Sequence, residues 1–513
     1  MGLRGVSAHS RGSEPFQAWM WTNAQKSRFR LLKWALLILI PCAVFLVFPR
    51  TALDIALLLS STFVVFMAGL RLTAILITAH DHSHADLDLS ADPPTQPTQW
   101  PRFTVLVPLF REAHMVKSLM DNLSKIDYPE DRIDIILVTE ADDIATCRAV
   151  KHNLRPPFQI FEVPPSQPRT KPKALNAALA AIPPQKRGDI ITVYDAEDRP
   201  HPGQLKQAAL ALMADPGLAA VQAPLGYYND RDNLLTTFFG LEYAALFHVW
   251  NPALAKLGLP FTFGGTSNHI RKTVLEAVGG WDACNVTEDA DLSFRITAMN
   301  YQGRGRGRGR GQGQEQRQRQ GLKIGIISLP TNEEAVSSYK NWTAQRSRWL
   351  KGFMQTWRVH MRHYKTAPDG GHFHMANRIR NMFSLQITVG ATLLSAYLHV
   401  PSLIIMTMLY ITSLTSAYSL QHPLLFLSVL LGGYGAAILS AMIGARRAGK
   451  LHLVKFSVLM PFYWLMHFIP VLMASREILV APDYWRKTTH KGTNPIPKRT
   501  KEQTLEPVNA PLI

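Results

Sequence analysis

The chain has 513 residues, of which 47% are hydrophobic and only 18% are charged, and its formal net charge is +18. In soluble proteins about a quarter of all residues are charged. The lower value here argues against a purely soluble protein and favours a membrane protein. The length allows about two or three domains, or one domain with a membrane region.

Two long apolar segments near the N-terminus predict two membrane spans. Residues 31–48 carry a single charge, and residues 51–79 are interrupted only by Asp54 and Arg71. Each segment is long enough to cross a hydrocarbon core about 30 Å thick, which takes about 20 residues. A cleaved signal peptide is the alternative for the first segment. A polar stretch precedes that segment and no small-residue cleavage site follows it, so we favour a span.

A polar and mixed region follows, and its size suits one α/β domain. Apolar segments then return near 382–399, 402–419, 423–444 and 454–476, which brings the expected number of spans to six. The expected organisation is a cytoplasmic tail (1–30), two transmembrane helices (31–80), a cytoplasmic domain (81–365), about four transmembrane helices (380–478) and a second cytoplasmic tail (479–513).

Basic residues set the expected orientation. Arg28 and Arg30 precede the first span, and Arg378 and Arg380 precede the third. By the positive-inside rule, the N-terminus and the central domain then lie in the cytoplasm of a multi-pass plasma-membrane protein. The basic loop at 445–450 contradicts this, because it lies outside in a count of six spans. Either one apolar segment is interfacial or this loop breaks the rule.

One segment supplies +5 of the net charge of +18. Residues 302–321 contain six Arg and one Glu among Gly and Gln, a composition that predicts a disordered insertion. Arginine-glycine segments sometimes bind RNA. We favour an insertion within one folded domain and expect no nucleic-acid partner.

The central domain alternates strand-like and helix-like segments. Buried strands are predicted at 103–110, 133–140, 158–163 and 191–195, with helical stretches between them. This alternation predicts an α/β fold with a mostly parallel sheet. In such sheets ligands bind beyond the carboxyl ends of the strands.

Acidic residues follow two of these strands. Asp195 and Glu197 lie two residues apart, which puts them on one face of extended chain, where they would hold Mg²⁺ or Mn²⁺. The earlier strand ends in "TEADD", which contains Asp142 and Asp143. Acids after strands also serve as turn formers and helix caps, and for either cluster alone that interpretation is the better one.

Further motifs combine with these acids. Lys171 and Lys173 precede a helix, and Gly264 and Gly265 would allow a ligand to approach the backbone. The segment "NVTEDADLSFRI" places acids in a first helical turn after Thr287, a candidate N-cap; its acids are Glu288, Asp289 and Asp291.

A helix at 340–362 carries "QRSRW" and is predicted to lie at the membrane surface. Gln345, Arg348 and Trp349 share one of its faces. Four rings form a stripe that suits either an interfacial helix or core packing; they belong to Trp342, Trp349, Phe353 and Trp357.

Taken in order, these segments resemble membrane-bound family 2 glycosyltransferases, the group that includes cellulose, hyaluronan and chitin synthases. The matching segments are FTVLVPLFRE, VTEADD, KPKALNAAL, DAED, FGGTSNH, TEDADL and QRSRW. The resemblance covers about residues 100–360. It is closest to the branch with DAED in place of DAD, which includes proteins similar to bacteriophage N4 adsorption protein B. It implies a GT-A fold, which is a Rossmann-like domain, inserted between transmembrane helices.

The resemblance also implies roles for individual residues. Asp289 would be the catalytic base, and Asp195 with Glu197 would bind Mg²⁺ or Mn²⁺, although Glu197 stands where the family has Asp. The nucleotide sugar would be held by Glu112, Asp142, Asp143, Lys173, Asp195 and Arg348. The acceptor would be held by Gly265, Glu288, Gln345 and Trp349.

The implied activity is inverting transfer from a UDP-sugar to a glycan acceptor. UDP-glucose is the first expected donor and UDP-N-acetylglucosamine the second. Processive β-polysaccharide synthesis coupled to export is the expected outcome, with the lipid bilayer as a partner and room for export or regulatory subunits. A scaffold that keeps the fold without turnover is the alternative. Retention of the acids, the lysines and QRSRW argues against it.

Overall fold

The computed structural model of the chain describes residues 47, 49–79, 99–299, 322–366, 372–415 and 421–480. The expected span at 31–48 falls almost entirely outside these residues, as do the 302–321 insertion and both terminal tails.

Ten strands form two sheets in the part of the chain that the structure describes. They are β1 (Phe103–Leu109), β2 (Ile133–Glu140), β3 (Phe158–Val163), β4 (Ile190–Val193), β5 (Arg199–Pro200), β6 (Leu218–Gln222), β7 (Leu225–Tyr227), β8 (Asn268–Arg271), β9 (Lys323–Ile326) and β10 (Thr331–Glu333).

The larger sheet has seven strands in the order β3-β2-β1-β4-β8-β6-β9. The pairs β3/β2, β2/β1, β1/β4 and β6/β9 are parallel, and β8 runs antiparallel to both of its neighbours. The predicted α/β fold with a mostly parallel sheet is therefore confirmed. The four strands predicted from the sequence are all present. β8, in contrast, lies in "FTFGGTSNHIRK", where the sequence analysis predicted no strand.

Helices flank the sheet and continue beyond it. They are α1 (Pro49–Ile77), α2 (Val116–Leu123), α3 (Ile144–Asn153), α4 (Lys171–Ala181), α5 (Gln204–Ala214), α6 (Leu234–Ala245), α7 (Asn251–Lys256), α8 (Lys272–Ala277), α9 (Glu288–Ala298), α10 (Tyr339–Thr366), α11 (His372–Leu385), α12 (Ala391–Thr415), α13 (Gln421–Arg447), α14 (Leu451–Val454), α15 (Met460–Leu465) and α16 (Phe468–Val480). A π-helical turn joins α6 to α7, and another joins α11 to α12.

Strand β1 is apolar on both faces because both faces are covered. Val105 and Val107 enter one core with Leu119 of α2, whereas Leu106 between them enters a second core with Leu175 of α4. Side chains alternate across a strand, so an unbroken apolar run fits a sheet with helices on both sides. Each buried side chain of this kind contributes about 1.5–3 kcal/mol to folding.

A second, three-stranded sheet has the order β5-β10-β7. β5 follows the acidic turn after β4, and β10 precedes α10. This sheet therefore joins the acidic turn to the helix that carries QRSRW.

Four helices among the described residues are long and apolar enough to cross a membrane: Asp54–Ile77, Asn377–Met408, Leu427–Arg447 and Ser457–Val480. The sequence predicted two separate segments at 382–399 and 402–419. In the structure α11 and α12 form one continuous helix through this region, with Pro401 inside it. After the α/β domain, three of the described helices are thus long and apolar enough to span a membrane, whereas the sequence predicted four spans.

The basic loop after α13 lies against the α/β domain. The Lys450 ammonium donates to the Tyr227 carbonyl at 2.6 Å and to the Asp230 carboxylate at 2.7 Å. His452 lies 3.1 Å from the other oxygen of Asp230, and Arg447 donates to the Thr78 carbonyl at 2.8 Å. The loop and the domain are therefore on the same side of the apolar helices.

Helix α13 touches the domain through Gly444. A methyl group on Gly444 would meet the Ala244 carbonyl oxygen of α6 at 2.4 Å and the Ala245 nitrogen at 2.7 Å. Only a glycine fits this approach without moving one of the two helices.

We expect Gly444→Ala to lower the free energy of unfolding by about 1–3 kcal/mol, because it overpacks a backbone contact. Gly432→Ala is the matched control, since Gly432 on the same helix has no atom within 4 Å of the added methyl. Thermal unfolding of both variants in detergent measures the difference. Equal melting temperatures would show that α6 and α13 do not depend on this contact.

Candidate active site

A cavity of about 580 Å³ begins at the carboxyl ends of β1, β2 and β4 and continues between α1, α12 and α13. Its position fits the rule that ligands of such sheets bind beyond the carboxyl ends of the strands. Most of the site residues predicted from the sequence line it: Glu112, Asp195, Glu197, Gly265, Glu288, Asp289, Gln345, Arg348 and Trp349.

The three acids after β4 form a turn. The Asp198 backbone N–H donates to the Asp195 carbonyl at 3.2 Å, so the extended chain assumed from the sequence is wrong. Asp195 and Glu197 nevertheless both line the cavity. Asp198 points inward, is fully buried, and accepts hydrogen bonds from the Asp195 N–H at 2.8 Å and from the Thr266 hydroxyl. Burial, together with Asp195 and Glu197, raises the pKa of Asp198 well above its usual value.

Lys171 is the cation that contacts these acids. It is the first residue of α4, which Thr170 begins by accepting a hydrogen bond from the Lys173 N–H at 3.4 Å. The Lys171 ammonium lies 2.5 Å from Asp195 Oδ1 and 2.8 Å from the Gly265 carbonyl oxygen. Burial alone would lower the pKa of Lys171, but Asp195 and Glu288 raise it, so the ammonium stays charged.

Three predicted nucleotide-binding residues lie outside the lining of the cavity. Lys173 contacts Glu140 at 3.0 Å and 3.2 Å. Asp142 pairs with Arg169 at 2.5 Å. Asp143 caps α3 by accepting from the Thr146 N–H at 3.3 Å, and it also accepts from the Arg111 N–H at 2.5 Å. Glu140 and Arg169 line the cavity in their place.

Asp289 lies beside Gly265, whose φ of +87° is in the region that favours glycine. A Cβ atom built on Gly265 would be 3.7 Å from Asp289 Oδ2. Burial and the neighbouring Glu288 carboxylate raise the pKa of Asp289 to about 7. A carboxylate with a pKa near neutrality suits a general base.

Helix α10, which carries QRSRW, packs directly against the start of α9. A methyl group on Gly352 would meet Thr287 at 2.4 Å. Thr287 stands at the N-cap position, but its side chain makes no capping hydrogen bond, so the predicted cap is not formed. Its hydroxyl instead donates to Asn285 Oδ1 at 3.4 Å. This packing brings Gln345, Arg348 and Trp349 to the cavity that contains Asp289.

Arg346, within the same motif, is a residue that the sequence reasoning did not select. It is 6% exposed, and its guanidinium donates to both carboxylate oxygens of Glu242, one of them at 2.9 Å. It also donates to the Tyr463 hydroxyl at 2.8 Å. Its Cζ lies 4.5 Å from the Trp349 ring centroid and 4.6 Å from that of Phe239. Arg346 therefore ties α10 to α6 and α15 and supports the Trp349 ring by a cation–π contact.

Two further acids of the cavity were missed. Glu242 is the single charged residue in the apolar helix α6, and that isolation was a usable signal, because a charge that is even partly removed from water needs a partner. Glu333 ends β10 and lines the cavity. Burial, together with Asp198 and Glu197, raises its pKa well above the usual value. Nothing in the sequence around Glu333 distinguished it from Glu334.

The donor set fits a divalent cation that is shared with a ligand. No group of three or more His, Cys, Asp or Glu side chains in the described part of the chain is arranged to hold a metal. Asp195 and Glu197 supply two carboxylates, and the Lys171 ammonium already lies at one of them. Mg²⁺ and ions like it are commonly bound by one or two carboxylates, with waters and phosphate oxygens as the remaining ligands.

Comparison with known proteins gives a family match. The family model described as glycosyl transferase family group 2 matches residues 190–473. The chain is 26% identical over 257 residues to the probable glycosyltransferase YdaM of Bacillus subtilis, a match that covers 49% of this chain and 55% of that protein. It is 27% identical over 308 residues to the beta-monoglucosyldiacylglycerol synthase of Synechocystis sp., covering 59% of this chain and 58% of that protein. The chain thus spans a little over half the length of these relatives.

Among solved structures, the chain is similar to the mannosyltransferase PcManGT from Pyrobaculum calidifontis, determined in complex with GDP-Man and Mn²⁺. The identity is 20%, the match covers 80% of this chain and 99% of that chain, and the TM-score is 0.45.

The Arg346–Glu242 pair provides a test of the packing around Trp349. We expect Arg346→Met to lower the free energy of unfolding by about 3 kcal/mol, because Glu242 loses its cation. The double variant Glu242→Gln with Arg346→Met should lose less than the sum of the two single variants. Thermal unfolding of the two single variants, the double variant and the unchanged chain measures the coupling.

The control is Lys117→Met, which breaks an exposed pair with Asp121 whose side chains are 76% and 44% exposed. Such pairs contribute about 0–1 kcal/mol. Strictly additive losses at Glu242 and Arg346 would contradict the proposed coupling.

Proposed function

Because the chain belongs to glycosyl transferase family group 2, we propose that it transfers a hexose from a nucleotide-diphospho-sugar to an acceptor hydroxyl, with inversion at the anomeric carbon. The observation that carries this proposal is the position of Asp195, Glu197 and Asp289 around one cavity with Lys171 and Arg348. This chemistry requires acidic groups that bind a cation, basic groups that bind the diphosphate, and a base that accepts the proton of the acceptor hydroxyl.

Asp289 acts as the general base. It removes the proton from the acceptor hydroxyl as the oxygen attacks the anomeric carbon from the face opposite the diphosphate. Positioned bases of this kind contribute typically about 10²–10⁴-fold to a rate. Attack from that face inverts the anomeric centre, so an α-linked donor gives a β-linked product.

The reaction also requires that the negative charge on the departing diphosphate be balanced. The Lys171 ammonium and the Arg348 guanidinium line the cavity and balance this charge. Asp195 and Glu197 would hold Mg²⁺ or Mn²⁺, which when bound acts as a Lewis acid on the phosphate oxygens. Lys171 keeps the Asp195 carboxylate oriented toward that position through its 2.5 Å contact.

The acceptor enters from the side of α10, where Trp349 lies. The cavity continues past Trp349 to Tyr434 and Trp464, two rings that stack at 5.8 Å between the apolar helices. A growing glycan would follow this route, so the proposed outcome is processive synthesis of a β-linked polysaccharide with passage into the membrane region. UDP-glucose is the proposed first donor.

The proposed location is the plasma membrane, with the domain in the cytoplasm. Arg446 and Arg447 end α13, and Lys450 lies in the loop that follows it and contacts the domain. Basic loops lie preferentially on the cytoplasmic side. A cytoplasmic domain also has direct access to nucleotide sugars.

A donor screen tests the reaction and its base together. Purified membranes are supplied with Mn²⁺ or Mg²⁺ and with UDP-glucose, UDP-N-acetylglucosamine or GDP-mannose, and product formation is measured against pH. With the productive donor, the rate should rise about tenfold per pH unit below about pH 7 and level off above it, because Asp289 must be ionised to accept a proton. Asp289→Asn should abolish transfer at every pH. Equal rates for both proteins would remove Asp289 from the mechanism.

The two lysines of α4 should separate in a parallel test. We expect Lys171→Ala to lower kcat about 10²-fold, because it removes a cation from the leaving diphosphate, and also to lower the melting temperature, because Asp195 loses its ammonium partner. Lys173→Ala should mainly lower the melting temperature, because it leaves the buried Glu140 carboxylate without its cation. The reverse pattern would return the diphosphate to Lys173, as the sequence predicted.

A further inference from the structure

Helix α1 carries one basic residue, Arg71, in its apolar stretch Asp54–Ile77. Arg71 lies about 9 Å before the end of α1 that meets the α/β domain. Its side chain lines the cavity, which continues here between the apolar helices. Charged side chains in such stretches are rare, and they usually face a cavity and mark a binding site.

No charged side chain among the described residues interacts with Arg71. Lys171, Asp195 and the other ionised groups of the active site are therefore too far away to affect it. A cation that is partly removed from water and has no counter-ion is costly. A negatively charged ligand would remove this cost.

Asn251, the first residue of α7, supplies a second unpaired polar side chain. It is 1% exposed and lines the same cavity, and neither its Oδ1 nor its Nδ2 atom has a hydrogen-bond partner among the described residues. Ala74 of α1 packs with Val249 and Ala253, which flank this asparagine. Arg71 lies one turn before Ala74 on the same face of α1. Both unpaired groups therefore lie where α1 meets the start of α7.

Helices α1 and α13 run parallel and side by side. The Arg447 guanidinium donates to the Thr78 hydroxyl at 2.7 Å, and a Cβ atom built on Gly433 would meet the side chain of Val64. The offset between the two helices is the same at both contacts. It places Ser440, which is buried and lines the cavity, level with the cation of α1.

Farther from the α/β domain, the cavity wall between these two helices is apolar. The residues of α1 that line it lie on the same helical face as Arg71. We call this wall the α1–α13 strip; it consists of Phe63, Val64 and Met67 of α1 with Leu430, Gly433 and Ala437 of α13. Polar groups near the domain, followed by an apolar strip deeper between the helices, match the polarity of a phospholipid.

We propose that Arg71 and Asn251 bind the phosphate of an anionic phospholipid whose acyl chain lies along the α1–α13 strip. A guanidinium donates two parallel hydrogen bonds to a phosphate, and an asparagine amide donates another. The Asn251 Oδ1 atom accepts from a head-group hydroxyl such as those of phosphatidylglycerol. Basic pockets between membrane helices are a common kind of site for anionic head groups.

The lipid and the proposed glycan route use different walls of the cavity. The glycan route follows Tyr434 and Trp464, which contact His399 of α12. The lipid lies on the side of α1. The site therefore does not depend on the transfer reaction, and it is tested without a sugar donor.

The experiment compares four full-length proteins in detergent: the unchanged chain, Arg71→Met, Asn251→Leu and Arg446→Met. Arg446 is the matched control, because it is an exposed arginine at the domain end of α13 and lies outside the cavity lining. Native mass spectrometry measures the dissociation constant of the first bound dioleoylphosphatidylglycerol or dioleoylphosphatidylcholine. Circular dichroism and gel filtration verify that each protein is folded.

We expect the unchanged chain to bind one phosphatidylglycerol about 10- to 100-fold more tightly than phosphatidylcholine, whose choline group offsets the phosphate charge. Arg71→Met should remove this preference. Asn251→Leu should weaken the binding of both lipids about tenfold, because both carry the phosphate. Arg446→Met should bind both lipids as the unchanged chain does.

Two results would overturn the site. Equal affinities of the unchanged chain for the two lipids would show that Arg71 does not select a charged head group. Equal losses in Arg71→Met and Arg446→Met would show only a general attraction of basic residues for anionic lipid. If Arg71→Met does not fold, Asn251→Leu decides, and unchanged affinities in that variant contradict the proposal.

Competition identifies the source of the phosphate. Inorganic phosphate or UDP is added to the unchanged chain with phosphatidylglycerol bound. We expect neither to displace the lipid, because burial of its acyl chain supplies part of the affinity. Displacement by inorganic phosphate would make the ligand a soluble phosphate, and displacement by UDP would place Arg71 at the donor diphosphate. Either result would refute a lipid site.

Discussion

The contact between the Lys171 ammonium and the Asp195 carboxylate is the interaction on which the site depends. Around it the fold gathers Asp195, Glu197, Glu288 and Asp289 at one partly buried cavity, where like charges repel and each is costly to keep out of water. Lys171 lies among them and also holds the Gly265 carbonyl. One ammonium thus joins the turn after β4 to the loop before β8. Burial above all, and the neighbouring carboxylates to a lesser extent, raise the pKa values of Glu288 and Asp289.

The sequence predicted those features that local pattern determines. Apolar runs placed β1, β2, β3 and β4 almost to the residue, and the ordered acids and QRSRW identified most of the cavity wall. It assigned the nucleotide to Lys173, whereas Lys171 is the lysine that contacts Asp195; both begin one helix, and only the helix direction decides which of them reaches that carboxylate. The direction of the chain also explains why Asp142 and Asp143 of "TEADD" were wrongly expected at the cavity, since the sequence does not show which way their side chains point. Glu140, at the end of the strand, faces the cavity, whereas Asp143 turns back to cap α3.

Features that depend on long-range packing were beyond the sequence. Arg346 has a role only because Glu242 and Tyr463 reach it from two other helices. Trp349 reaches it from the next turn of its own helix. Glu333 gains its position from the pairing of β10 with β7 and β5, strands of three and two residues that leave no periodic pattern. The continuity of α11 and α12 was hidden by Pro401, which usually ends a helix but is accommodated here.

One hydrophobic core is shared by the α/β domain and the apolar helices. Tyr227 and Phe239 of the domain pack in the same cluster as Ala441, Leu453 and Tyr463, which follow it by some two hundred residues. The α/β domain does not bury this core by itself, since cutting the chain before α13 would expose its side of the cluster to water. Substitutions on either side of this boundary alter the same packing, so replacing the apolar helices would require matching changes in α6.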